Sequence, residues 1–168
     1  MSVIVVSPLS ELDKVIAQTG ARTMVSLAGP GKSITQPIAI DREWLALEFN
    51  DIPGPLAGYI APSRKDVSQI IELGRRWSGE EPLLCQCWLG VSRSTASALM
   101  IAAARNFDQD FDELTSRLRS LSPTATPNPM MIRLADKQLN LNGRLTKAVQ
   151  AIGRGVNCMQ GEPFTLKV

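Results

Sequence analysis

Pro82-Leu83-Leu84-Cys85-Gln86-Cys87-Trp88-Leu89-Gly90-Val91-Ser92-Arg93-Ser94, running directly into Thr95-Ala96-Ser97-Ala98-Leu99-Met100-Ile101-Ala102-Ala103-Ala104, decides the fold. Residues 82–86 are a short apolar run opened by proline and read as a buried strand. From Ser94 to Phe107 the chain is apolar on nearly every side, which predicts a buried central helix. Between them lie Cys87, a glycine three residues on, and Arg93. A strand–loop–helix junction of this kind makes an anion cradle, because loop N–H groups and the positive end of the helix converge on one point. Cys87 at its base would feel the same field, which favours the ionised sulfur. Arg93 supplies a planar two-pronged donor that lysine cannot imitate, and Gly90 lets the backbone bend closely around the anion. With this composition a bare Cys-x5-Arg arises by chance about one time in five, but requiring the Gly and a Ser or Thr after the Arg lowers this to about 0.002.

Working outward, Val3-Ile4-Val5-Val6 is a β-branched strand ended by Ser7-Pro8, and residues 9–19 have helical spacing with Gly20 as the stop. Thr23 to Leu27 is a second strand, followed by a Gly/Pro loop to about Gln36. Trp44 to Phe49 is a third, ending in the obligatory loop Asn50-Asp51-Ile52-Pro53-Gly54-Pro55. Ser63-Arg64-Lys65-Asp66 has capping-box spacing. It opens a helix whose inward stripe is Val67, Ile70, Ile71, Gly74 and Trp77. Further helices are predicted from Asp110 to about Leu121, from about Met130 to Leu139, and across Leu145, Val149 and Ile152. Residues 156–168 read as a loosely packed tail. Strands alternating with helices predict a single α/β domain over residues 1–168, with a central, mostly parallel sheet of about four to five strands flanked by helices.

In this setting Gln86-Cys87-Trp88-Leu89-Gly90-Val91-Ser92-Arg93-Ser94 resembles the signature loop of the cysteine-based protein tyrosine phosphatases. It is most similar to the compact dual-specificity type and to small bacterial phosphatases of that kind. Leu47-Glu48-Phe49-Asn50-Asp51-Ile52 resembles the segment carrying that family's general acid, and Pro127-Asn128 with Gln138-Leu139 resembles its C-terminal packing helix. The resemblance implies that Cys87 attacks phosphorus to give a phosphocysteine intermediate. Arg93 and the backbone N–H groups of Trp88, Leu89, Gly90, Val91, Ser92 and Arg93 would bind the phosphoryl oxygens. Ser94 would hydrogen-bond the sulfur and help it leave, and Asp51 would act as acid and then as base. No metal and no cofactor are implied. Where the family usually has histidine before the nucleophile, this chain has Gln86, so a somewhat less readily ionised thiol is expected.

Competing readings bear on several of these residues. Asp51 before Pro-Gly is also an ordinary turn residue, and Asp41 and Glu48 compete for the acid role. Ser94 could simply start a helix. Trp88 and Leu89 could meet substrate, although packing beneath the loop is the expectation. Cys85, two residues from Cys87, is expected to be buried by strand alternation, with a redox partnership as the alternative. Ser26-Leu27-Ala28-Gly29-Pro30-Gly31-Lys32-Ser33 is a near miss to a nucleotide-binding loop, but it lacks the first glycine, and Pro37 spoils the helix such a loop needs. Lys32 could still reach towards a ligand.

Composition narrows the chemistry further. The 168 residues contain no histidine, which removes Ser–His and Cys–His pairs and histidine-bearing metal sites. Three cysteines argue against a disulfide scaffold and a four-thiolate zinc site. A net charge of +2 gives no electrostatic case for nucleic acid or membrane. The N-terminus lacks a basic start and is broken by Pro8, and the longest apolar run, Ala98 to Ala104, is too short to span a bilayer. Composition leaves a cytoplasmic protein as the expectation, and the resemblance implies a hydrolase of phosphomonoesters, acting on a phosphorylated protein (phosphotyrosine above all) or a small phosphomonoester. Because residues 88–92 contain no Lys or Arg, an inositol lipid fits less well. The alternatives are a phosphate-binding module with little turnover and a rhodanese-like sulfurtransferase.

Overall fold

A computed structural model describes residues 2–168 and shows a five-stranded mixed sheet with helices on both faces; Met1 lies outside the described residues. In chain order the elements are β1 (Val3–Pro8), a 3-10 turn (Leu9–Glu11), α1 (Leu12–Thr19), β2 (Thr23–Ala28), β3 (Glu43–Glu48), α2 (Arg64–Arg76), β4 (Leu83–Cys87), α3 (Arg93–Arg105), α4 (Phe111–Leu121), α5 (Pro129–Gln138), α6 (Arg144–Ile152) and β5 (Phe164–Lys167). The strand order is β3-β2-β4-β1-β5, and the first four strands are parallel.

That order follows from burial. β1, β2 and β4 are continuous apolar runs, with Ile4, Val6, Met24, Val25, Leu83 and Leu84 all inaccessible to solvent, as strands covered on both faces must be. β4, the last of the parallel strands in the chain, inserts between β1 and β2, so the carboxyl ends of these three strands meet at one crevice, the place where open α/β sheets bind ligands. On one face α1 lays Leu12, Val15 and Ile16 against Val5, Met24 and Leu84. On the other, α3 is buried from Arg93 to Ala103 and is surrounded by α2, α4 and α5.

The helix boundaries follow the capping chemistry. Ser63 Oγ accepts the Asp66 N–H while the Asp66 carboxylate accepts the Ser63 N–H, a complete capping box that starts α2. Val67, Ile70, Ile71, Gly74 and Trp77 are buried, as the stripe predicts. At Gly74 a Cβ would lie 3.0–3.2 Å from Ile101, so the lack of a side chain there lets α2 and α3 pack closely.

One expectation is overturned. Residues 156–168 are not a loose tail throughout, because residues 164–167 form β5, antiparallel to β1, with Phe164 and Leu166 buried. The reason is strand alternation in Phe-Thr-Leu-Lys, which covers the β1 edge and leaves a lysine at the end of the new edge. A smaller shift affects β4, which extends one residue beyond the expected end and takes Cys87 into the sheet, paired in register with Pro8 and Leu27.

Candidate active site

Each strand end contributes one part of the crevice. β4 delivers Cys87 at the sheet's edge, 2% exposed, and α3 begins six residues later with Arg93. Between them the loop turns through Gly90, whose φ of +68° lies in the left-handed region. A Cβ at Gly90 would meet the Pro8 backbone nitrogen at 2.7 Å, so only glycine lets the loop rest on the end of β1.

The loop's carbonyls are tied down from outside. Trp88 O accepts from the Leu9 N–H (3.2 Å), Leu89 O from Gly161 (2.9 Å), and Val91 O from Thr126 (2.9 Å). Ser92 O accepts from Ala96 (3.0 Å) and Asn128 (3.3 Å). With the carbonyls facing away, no acceptor is found among the described residues for the N–H groups of Leu89, Gly90, Val91 and Ser92. They form a nest at the N-terminus of the thirteen-residue α3, where partial positive charge gathers.

The buried side chains complete it. Arg93 is 7% exposed; its Nη1 donates to Phe49 O at 2.9 Å, which fixes the guanidinium plane. Its Nε is buried with no hydrogen-bond partner and lies 4.0 Å from Asp51 Oδ2. A buried guanidinium N–H without an acceptor is costly unless the fold keeps it for a ligand. Ser94 Oγ, wholly buried, lies 3.0 Å from Cys87 Sγ. A 280 Å³ cavity is lined by Asp51, Cys87, Trp88, Leu89, Val91, Ser92 and Arg93.

Asp51 hangs over this cavity on the loop after β3. Its Oδ1 accepts from Ser92 Oγ at 2.7 Å and from Asn128 Nδ2 at 2.8 Å, while Oδ2 faces Arg93. The two competing carboxylates are engaged elsewhere. Asp41 forms a two-pronged ion pair with Arg22 (2.6 and 2.7 Å), and this hydrogen-bonded partner holds its carboxyl below the usual range. Glu48 accepts from Ser33 Oγ and from the Gly31 N–H, and those bonds, the Ser33 hydroxyl first, hold it low as well.

The structure therefore brings Cys87, Arg93, Ser94, Asp51 and the loop N–H groups around one cavity. Trp88 and Leu89 do not pack beneath the loop: they are 61% and 40% exposed and form the mouth. Cys85 is fully buried, and desolvation, with Cys87 nearby as a lesser cause, pushes its thiol well above the ordinary range, which makes it a poor redox nucleophile. Lys32 lines a neighbouring cavity rather than the nest.

Sequence reading places Asn128 only at the start of a packing helix and misses its part in the site, where it ties three elements together. Its Oδ1 caps α5 through the Met130 and Met131 N–H groups, its Nδ2 holds Asp51 and Ile52 O, and its own N–H reaches Ser92 O. Asn followed by Pro at the first helical position is a helix-start signal that marks Asn128 as the cap. Among the described residues there is no cluster of three or more metal-binding side chains, and no helix is long and apolar enough to cross a membrane.

No family model and no curated protein sequence matches this chain. Solved structures do. The chain superposes on DUSP15 with a TM-score of 0.61 at 16% identity, covering 89% of each chain. Against PTPMT1 in complex with PI(5)P the TM-score is 0.59 at 9% identity, covering 88% of this chain and 92% of that one. Against the human tyrosine phosphatase-like serine/threonine/tyrosine-interacting protein it is 0.60 at 14% identity, covering 83% and 92%. The fold is that of the dual-specificity phosphatases.

Proposed function

We propose that this protein is a cysteine-dependent phosphomonoester hydrolase of the protein tyrosine phosphatase type. The single observation carrying the proposal is the 280 Å³ cavity over Cys87, bordered by loop residues whose N–H groups have no acceptor and by buried Arg93 with its partnerless Nε. Such donors stabilise charge developing on equatorial phosphoryl oxygens without reorganising, generally the largest catalytic term.

In the first step the ionised sulfur of Cys87 attacks phosphorus and forms an S–P bond while the P–O ester bond breaks. Asp51 gives its proton to the departing oxygen. In the second step a water attacks the phosphocysteine, Asp51 takes the water's proton, and the S–P bond breaks to release inorganic phosphate. The Ser94 hydroxyl, 3.0 Å from Sγ, donates to the sulfur as it leaves with the electron pair. Arg93, oriented by Phe49 O, presents its free edge to two phosphoryl oxygens throughout.

Phosphotyrosine is the proposed substrate class. PTPMT1 has been solved with PI(5)P, but here residues 88–92 offer no cation to a polyphosphorylated headgroup. Trp88 and Leu89 at the mouth suit an apolar alcohol instead. Hydrolysis of para-nitrophenyl phosphate that disappears in Cys87→Ser is the expected result. Phosphate binding without turnover in the unaltered protein would instead mark a non-catalytic phosphate-binding module.

A further inference from the structure

Beside the nest lies a second cavity of 350 Å³ whose lining includes Leu27, Ala28, Ile34, Lys32 and Gln86. It shares Trp88 and Arg93 with the cavity over Cys87, so the two adjoin across those side chains. Its walls are mainly aliphatic and aromatic, and its size is that of a small-molecule site.

Its floor is polar and built. Gln86 and Ser26, paired in register on β4 and β2, both line it and are each 2% exposed. The Ser26 hydroxyl donates to Gln86 Oε1 at 2.9 Å, which fixes the amide. No acceptor is found among the described residues for the Gln86 Nε2 donors, although the side chain is almost wholly buried and faces this cavity. An amide donor that opens onto the cavity with no protein acceptor is free to meet a ligand atom or a water. Gln86 is also the residue that departs from the usual histidine. Its donors therefore serve this space rather than the phosphate loop.

Building on the phosphatase reading, we infer that this second cavity seats the alcohol portion of the phosphomonoester, and that Gln86 selects a carbonyl or ether oxygen on an aryl or similarly bulky apolar group. Phosphate would sit in the nest, the ester oxygen near Asp51, and the body would pass over Arg93 and Trp88 onto Leu27, Ala28 and Ile34. Lys32 at the rim favours an additional acidic group on that body. A free aryl phosphate can carry that oxygen on its ring, whereas a phosphotyrosyl peptide would offer a main-chain carbonyl in its place.

The test is equilibrium binding to the Cys87→Ser protein of non-hydrolysable phosphonates, with orthovanadate as a control on the unaltered protein. Naphthylphosphonate is expected to bind about tenfold tighter than methylphosphonate, the effect of burying roughly one ring's apolar surface. Acetylphenylphosphonate is expected to exceed ethylphenylphosphonate by about threefold or more, with the difference lost in Gln86→Leu, since it measures one hydrogen bond to a buried donor. Ala28→Phe and Ile34→Trp should each remove the aryl preference by filling the cavity, and the unsubstituted ligand series decides alone if either fails to fold. A peptide bearing phosphonomethyl-phenylalanine, compared with free benzylphosphonate, tells protein-borne from free substrates, and tight binding of either supports the site. Orthovanadate binding with equal affinity for all phosphonates would overturn this inference alone. Failure of orthovanadate and every phosphonate to bind would overturn the phosphatase reading and this one with it.

Discussion

Two glycine-bearing loops leave the carboxyl ends of neighbouring strands, and they do opposite things. The loop after β4 runs straight into α3 and keeps its N–H groups free, with carbonyls tied back by Leu9, Gly161, Thr126 and Asn128. The loop after β2, Gly29-Pro30-Gly31-Lys32-Ser33, has no helix behind it, and the chain supplies its own anion: the Glu48 carboxylate takes the Gly31 N–H at 2.7 Å and the Ser33 hydroxyl. Glycine and donors therefore do not make a phosphate site by themselves. On the proposed reading, a site arises where donors border a cavity and no internal acceptor is supplied.

The sharpest way to break this contrast is at the free loop. Arg93→Ala, and equally Arg93→Lys, should lower turnover of any phosphomonoester by about 10³-fold, because lysine cannot present two parallel donors. Steady-state kinetics with circular dichroism as a folding check would show it; a mild loss in Arg93→Lys would mean that point charge, and not the fork, is what matters. Next in size is Asp51→Asn. It should slow phenyl phosphate about 100-fold while barely affecting a strongly activated ester that needs no proton. Equal losses on the two substrates would assign the acid role to another group.

A smaller effect is expected at Asn128→Ala, which removes the α5 cap and the tether on Asp51 together. Chemical denaturation should lose about 1 kcal/mol, and kcat should fall more for the poorer leaving group, which a purely structural role would not produce. Smallest is Glu48. Its folded carboxyl sits below the ordinary 4.5, so its contribution to stability is present above that value and fades as pH falls through the lower folded one. Glu48→Gln should flatten that acid dependence in the Gly31 region, read by amide exchange, without disturbing orthovanadate binding at the other loop.

The sheet, its parallel core and the strand–loop–helix junction were legible because each rests on local pattern: apolar runs with β-branched residues, a capping box at Ser63, and a helix apolar on every side. The short strand Phe164-Thr165-Leu166-Lys167 was not, because four alternating residues after Gly161 acquire meaning only against the β1 edge they cover. In the site, Cys87, Arg93 and Asp51 could be read from spacing and resemblance. That Asp41 and Glu48 are engaged away from the cavity could not be read locally, since their partners Arg22 and Ser33 lie 19 and 15 residues away in the chain. The clamp by Asn128 joins positions 77 apart and leaves no local trace beyond its helix cap. Trp88 and Leu89 were placed wrongly because an apolar residue in a loop reads the same whether it lines a mouth or packs beneath one.

The most direct measurement is to quench the protein with denaturant during turnover of labelled para-nitrophenyl phosphate and map the label by peptide mass spectrometry. Label on the peptide containing Cys87, and none in Cys87→Ser, is the predicted result. Sustained turnover in Cys87→Ser, or label on any other residue, would contradict a phosphoryl group passing through that sulfur.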